Sequence, residues 1–232
     1  MRLTIQQQEQ VLLQVAAHKH QTYTTDIHIA NGFVLNNFIV LPNVLRPEVM
    51  SALQLAQWLY SNKNLYQRKR VIDVGCGTGI QGIVVALRGA EKVTCTDIAP
   101  EAVENTRSNI NAHALQKTIA ATYGDLFQNI THKADVIIFN HPFFSDGPLS
   151  EQINTVPSQI HRGLLIHRFL ENAKQFLLSN GCIIMPYYHF AGPINDPGVQ
   201  APLHGFKVKR KWHKNIQTGL QKGWHSIYEI SL

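Results

Sequence analysis

Val71-Ile72-Asp73-Val74-Gly75-Cys76-Gly77-Thr78-Gly79 decides how this chain folds. Val71, Ile72 and Val74 are β-branched and apolar, the composition of a strand buried on both faces of a parallel sheet. Glycines follow at alternate positions, 75, 77 and 79. The pattern reads as a strand entering a tight turn at the start of a helix. Glycine there tolerates positive φ and lets a ligand come close to the main chain.

Outward from this stretch, strands alternate with helices. Strands are expected at 70–75, 92–97, 118–123, 134–140 and 181–187, and helices at about 79–88, 100–113 and 159–178. Pro100-Glu101 opens the second helix, with proline early and an acid near the positive helix end. Such alternation predicts an α/β fold with a mostly parallel, Rossmann-like sheet and helices on both faces. After residue 203 two strands, 205–213 and 224–231, are expected to pair as a hairpin. Upstream, Thr4 with Gln7 suggests a capping box for a helix reaching His20. Asn31-Gly32 between apolar runs predicts a hairpin over Ile27–Leu35. A further strand over Phe38–Leu41 and a helix from Pro47-Glu48 to about Tyr60 complete this part. Phe143–Pro157 and Gly192–Pro202 read as long irregular segments, the kind that sits beside sites. The expected division is a substrate-side extension, 1–65, and a catalytic domain, 66–232.

Composition narrows the class. The 232 residues are 44% apolar, ordinary for a globular chain. No apolar run reaches the about 20 residues that span a bilayer, and the N-terminus lacks the layout of a signal peptide. Cys76, Cys95 and Cys182 are few and far apart, as in a reducing compartment; the cytoplasm is expected, with no membrane partner. Net charge is +6. Phe206–Lys214 holds five basic residues and no acid. Strand alternation puts Lys207, Lys209 and Lys211 opposite Phe206, Val208 and Trp212. Lysines on a sheet edge deter edge pairing; a phosphate-contacting stripe, hence a nucleic-acid partner, is the second reading.

Two ligands suit the glycine loop. Gly77-x-Gly79-x-x-Gly82 spells the dinucleotide pattern G-x-G-x-x-G, with Asp97 at the expected distance of about 20 residues. That reading implies a nicotinamide oxidoreductase. The same segment spells Asp73-x-Gly75-x-Gly77-x-Gly79, with an acid that would repel a pyrophosphate but suits a ligand bearing an ammonium and a sulfonium. A carboxylate tying the loop's own amides is the plain structural alternative for Asp73.

The second spelling resembles class I S-adenosylmethionine-dependent methyltransferases. Phe139-Asn140-His141-Pro142-Phe143, ending the fourth strand, resembles the Asn-Pro-Pro-Tyr/Phe motif of their amino-methyltransferases, which act on protein glutamine or on exocyclic amines of nucleobases. Arg46-Pro47-Glu48 loosely resembles their lead-in, and the likeness runs from about 40 to 232. It implies a seven-stranded sheet with an antiparallel last strand and S-adenosyl-L-methionine as cofactor. Asp73, Gly75, Gly77, Gly79, Asp97, Ile98, Asp125, Leu126 and Asn140 would bind it, with Asp97 on the ribose and Asp125 on the adenine. A turn cap is the other reading of Asp125.

The motif's chemistry is coherent. An amide or aryl-amine nitrogen is a poor nucleophile because its lone pair is delocalised. If Asn140 Oδ1 and a backbone carbonyl accept its two N–H bonds, the lone pair is aimed at the methyl group. Phe143 would stack on the planar acceptor, Pro142 would shape the turn, and alignment supplies the remainder. No metal is required. His141 stands where the family usually has proline. It is either a tolerated substitution or a group that takes the released proton or meets an acidic substrate. The acceptor is a protein, a nucleic acid or a small nitrogenous metabolite; a non-catalytic binding subunit is the remaining alternative.

Other residue groups are weaker. His18 with His20, and His161 with His167, lack zinc-like spacing. Ser145-Asp146 has no Gly-x-Ser-x-Gly elbow. His161 or Arg162 in the following helix, and Tyr187-Tyr188, would border the same crevice or pack as core.

Overall fold

The computed structural model describes residues 4–48, 51–143, 164–218 and 221–232. Helix α1 (Ile5–His18) starts at Thr4 with the expected capping box. Thr4 Oγ1 accepts from the Gln7 amide at 3.2 Å, and Gln7 Oε1 accepts from the Thr4 amide at 3.0 Å. Strands β1 (Tyr23–Ala30) and β2 (Phe33–Val40) form a hairpin around Asn31-Gly32, with Gly32 at φ 74. The separate strand expected over Phe38–Leu41 is instead the second half of β2. Asn37, at φ 52 with its amide held by Asp26, absorbs an irregularity in pairing without ending the strand. Helix α2 (Ser51–Ser61) begins later than Pro47-Glu48, which lie in a turn.

Then come β3 (Arg70–Val74), α3 (Ile80–Leu87), β4 (Lys92–Asp97), α4 (Pro100–Ala112), β5 (Ile119–Tyr123), β6 (Ala134–Phe139), α5 (Leu164–Phe176), β7 (Leu177–Tyr188), α6 (Pro197–Leu203), β8 (Lys207–Thr218) and β9 (Gln221–Ser231). Seven of the strands form one sheet in the order β5-β4-β3-β6-β7-β9-β8. The first five run parallel, and β9 is antiparallel to both neighbours. This is the expected architecture.

Three local expectations are corrected. Strand β7 starts at Leu177 rather than 181, because Leu177 already pairs with Ala134 before the register shifts to Val136↔Cys182. Gly181 sits in that irregularity, where a Cβ would lie 2.8 Å from the Asp135 carbonyl oxygen. The Gly192–Pro202 segment, expected to be irregular, contains α6. Its Pro197 occupies the first turn, where no donor is lost, and Asp196 caps it through the Gly198 amide at 2.8 Å. In β8 a bulge between Arg210 and Trp212 breaks the alternation. Trp212 therefore faces the same side as Lys209, and the expected segregation of Lys211 from Trp212 is lost. The expected 143–157 loop beyond Phe143, Ser145-Asp146, and the start of the 159–178 helix with His161 and Arg162 lie outside the described residues.

Alternate residues of the central strands serve two apolar layers. Val71, Val136, Ile138 and Ile184 face α2, α3 and the N-terminal hairpin, whose Ile27, Leu35, Phe38 and Val40 join that layer. Ile72, Ile137, Ile183 and Met185 face α5 and α6. Two asparagines one turn apart on α4 fasten the hairpin. Asn109 Oδ1 accepts from the Ile39 amide and Asn105 Oδ1 from the Leu41 amide, each at 2.8 Å. Both side-chain amides return bonds to the Ile39 carbonyl. They satisfy backbone groups of Ile39 in β2 and of Leu41 just after it, on the edge that β1 does not pair. Among the described residues no helix is long and apolar enough to cross a membrane.

Candidate active site

Strand order reverses at β3, which has β4 on one side and β6 on the other. The crevice outside the carboxyl ends of strands at such a switch point is where open α/β sheets bind ligands. Val74 pairs with Phe139, so the glycine loop after β3 and the Asn140 turn after β6 leave the sheet side by side.

Gly75, Gly77 and Gly79 all have positive φ, at 64, 56 and 82. Their surroundings separate their duties. A Cβ on Gly79 would meet Thr106 Cγ2 at 2.9 Å, and one on Gly75 the Phe139 ring at 3.3 Å. At Gly82, completing the dinucleotide spelling, it would meet Cys95 Sγ at 2.7 Å, so that glycine serves close packing of α3 on β4. Around Gly77 no atom of the described residues beyond its chain neighbours lies within 4 Å of such a Cβ, leaving the loop open on that side.

Two acids flank the loop, one holding the helix that follows it and one holding the loop itself. Asp73 is 2% exposed, and its Oδ2 accepts from the Gly82 amide at 3.0 Å. Burial pushes its carboxyl up to about 7, against the Gly82 bond and with a smaller push from Asp97. The amide that Asp73 ties belongs to the first turn of α3 rather than to the glycine loop itself, where the alternative reading had placed it. Asp97 ends β4. Its Oδ2 accepts from the Gly77 amide at 3.0 Å and its Oδ1 from Ala99 at 2.9 Å, across Ile98. Burial also raises Asp97, and these amides oppose the rise.

Asp125 forms an ion pair, 2.5 Å long, with Arg168 of α5, each about a third exposed at 34% and 39%. Leu126 takes φ 53, and its carbonyl accepts from Thr96 Oγ1 at 2.8 Å. The Asp125 side chain thus points to α5, and among the described residues its carboxylate meets Arg168 rather than a turn amide; Arg168 carried no sequence signal, being 43 residues away.

Asn140 is half-buried, and its Oδ1 accepts from Ser51 Oγ at 2.7 Å. Pro142 is half-buried. Phe143 is 3% exposed and meets His141 and Tyr187 edge-on at 5.4 Å, so its ring packs on the protein's own rings. His141 is also 3% exposed, lies parallel to Tyr187 at 5.8 Å, and has Nε2 2.8 Å from the Asn195 carbonyl oxygen. Burial lowers its pKa to about 4, opposed by that bond and by Asp196. An imidazole so placed receives a proton poorly near neutrality. Tyr187 and Tyr188 are core, and the Tyr187 hydroxyl donates to the Gly192 carbonyl. Ser51 and Asn195 carried no sequence signal, since they arrive from remote segments.

The methyltransferase small domain family matches residues 51–193. A protein of Methanocaldococcus jannaschii, provisionally named a protein N5-glutamine methyltransferase, is 30% identical over 71% of this chain and 84% of its own length. The tRNA1(Val) (adenine(37)-N6)-methyltransferase of Vibrio vulnificus is 27% identical over 84% of this chain and 72% of its own. Several other methyltransferase relatives are longer, the match spanning less than a third of their length. Among solved structures, a Thermus thermophilus 16S rRNA methyltransferase in complex with AdoMet and guanosine shares the fold. Its TM-score is 0.66 at 18% identity, over 91% of this chain and 51% of that one.

Proposed function

The chain belongs to the methyltransferase small domain family and is an S-adenosylmethionine-dependent methyltransferase, and we propose that it methylates a planar nitrogen, a protein glutamine amide or the exocyclic amine of a nucleobase. The observation that carries this reading is the adjacency of the open glycine loop and Asn140 across the β3–β6 switch point.

The residues fit the cofactor. Gly77 leaves room for it, Asp97 stands at the end of β4 beside that room, and Asp125 follows β5. Gly75, Gly77 and Gly79 would give the backbone its close approach, and Asp97, Ile98, Asp125 and Leu126 would flank the nucleoside. Asp73 would act by bracing the first turn of α3 and by its charge near the ammonium group. When bound, the cofactor supplies the methyl group. The chain's own residues position the acceptor: Asn140 Oδ1 keeps one lone pair beyond the one used by Ser51, and accepts an N–H from the acceptor with it. Pro142 presents the neighbouring turn. Alignment of nitrogen with the methyl carbon is the main contribution.

Segment 1–65 is proposed as the substrate-side extension and the cytoplasm as the compartment. For the acceptor, the relatives include enzymes named for protein and for RNA. Lys207 donates to the Leu232 carbonyl and Lys211 pairs with Glu229 at 3.2 Å, while Lys209, Arg210 and Lys214 are exposed along the edge strand. This basic edge supports contact with nucleic acid through Lys207, Lys209 and Lys211 and their neighbours. The test incubates cell extract with the enzyme and methyl-labelled S-adenosylmethionine, then divides the product between nuclease and protease. Label released by nuclease supports a nucleobase acceptor, and label released by protease a glutamine. Asn140→Ala is expected to abolish labelling while S-adenosylhomocysteine still binds; full activity in that variant would overturn the acceptor geometry.

A further inference from the structure

We propose that His141 is a positioning residue: with Asn195 it clamps the Asn140–Phe143 turn in shape, replacing the stiffness of a proline ring at that position. The inference rests on Asn140 being the group that receives the acceptor.

Proline locks its own φ and pushes the residue before it toward extended backbone. Histidine does neither, so the turn that presents Asn140 needs another restraint. Asn195 grips the turn on both sides of Pro142. Its carbonyl accepts from His141 Nε2 at 2.8 Å, and its Nδ2 donates to the Phe143 carbonyl at 3.0 Å. Both partners are buried, Asn195 at 5% exposure and His141 at 3%, where such bonds are shielded from competing water.

The grip is anchored in turn. Asp196, next in sequence, caps α6, and its Oδ2 lies 3.3 Å from His189 Nδ1. His189 Nε2 lies 2.7 Å from Ser226 Oγ, fully buried on β9. A path of polar contacts thus runs from the sheet through α6's cap to the acceptor turn. A carbonyl only accepts, so His141 carries its proton on Nε2 and leaves Nδ1 bare. Nδ1 is buried and has no hydrogen-bond partner among the described residues. Among the described residues Phe139, Phe143, Tyr187 and Asn195 surround the ring, and Asp196 is the charge that reaches it. The imidazole is thus spent on holding the turn.

The test measures initial rates of methyl-label transfer from saturating S-adenosylmethionine into cell extract, for wild type, His141→Phe, His141→Pro, Asn195→Ala and Asn140→Ala. His141→Phe keeps a ring but loses the donor. It should slow transfer about tenfold, as small misplacements of a reacting group do, with the affinity for S-adenosylhomocysteine unchanged. His141→Pro restores a backbone lock and should recover most of that rate, with a pH–rate profile shaped like that of wild type. Asn195→Ala removes only the bond to Phe143 and should slow transfer as well, which keeps the test decisive if His141→Phe does not fold. Calorimetry with S-adenosylhomocysteine confirms folded, cofactor-competent protein in each case. Equal losses in His141→Phe and His141→Pro, or loss of a limb of the pH profile in His141→Pro, would mean that the imidazole itself is needed and would overturn the clamp. So would full rates in His141→Phe and Asn195→Ala beside an inactive Asn140→Ala, which leaves the acceptor reading standing. A fully active Asn140→Ala removes that reading and the clamp with it.

Discussion

The Ser51 hydroxyl donates to Asn140 Oδ1 at 2.7 Å, joining the start of α2 to the end of β6 across 89 residues of sequence. Ser51 is 3% exposed, so this bond has little competition from water. It fixes which way the Asn140 amide faces, and a carboxamide free to flip would offer its NH2 where an acceptor's N–H arrives. Ser51→Ala should cost about 1 kcal/mol of alignment, the typical net value of one hydrogen bond, or roughly fivefold in rate. The check is initial rate at saturating methyl donor. An unchanged rate would show that Asn140 is oriented by other contacts.

Gly77 separates binding from folding. A Cβ there meets nothing within 4 Å among the described residues, while φ is 56. Gly77→Ala should cost the fold only about 1–2 kcal/mol, the penalty of a left-handed non-glycine residue. It should weaken S-adenosylhomocysteine binding far more, because the methyl fills the open side of the loop. Calorimetry beside a melting curve reads both. Gly79→Ala, whose Cβ would strike Thr106 at 2.9 Å, should lose stability first.

Asp73 predicts a pH dependence. Its carboxyl is raised from 3.8 to about 7, chiefly by burial. Between those values the folded chain holds a proton that the unfolded chain has released, so stability falls as pH rises through this window. The slope approaches about 1.4 kcal/mol per pH unit at most, and above pH 7 the loss is complete. Asp73→Asn should therefore melt higher than wild type at pH 8 without ligand, with the difference shrinking toward pH 4. A difference that grows toward acid would show that Asp73 is stabilised as the anion.

Asn109 predicts how the hairpin is held. It is fully buried and bonds both the amide and the carbonyl of Ile39. Asn109→Ala leaves the Ile39 amide without a partner, a cost of about 1–3 kcal/mol. For a chain of this size the melting temperature should drop by roughly 2–4 °C per kcal/mol. Loss of protection at Ile39 in hydrogen exchange, with the main sheet unaffected, would localise the effect.

The parts legible in the sequence share one property: each is written in neighbouring residues. Apolar strand runs, Asn31-Gly32, the Thr4 capping box and Pro100-Glu101 act over a few positions, and the structure has them where expected. The errors lie where a local signal had two outcomes. Gly192–Pro202 read as irregular but contains α6, which Pro197 opens because proline suits a first turn. Alternation in Phe206–Lys214 failed at the bulge before Trp212, which pairing with β9 imposes.

What the sequence by itself determined is the sheet, the glycine loop and the Asn140–Phe143 motif, because backbone preference and apolar periodicity are local. Only the tertiary structure decided what each polar group does. Asp73 braces Gly82, Arg168 engages Asp125, Ser51 orients Asn140 and Asn195 meets His141. Hydrogen bonds act over about 3 Å in space, and between residues this far apart in the chain that distance is set by how the elements pack.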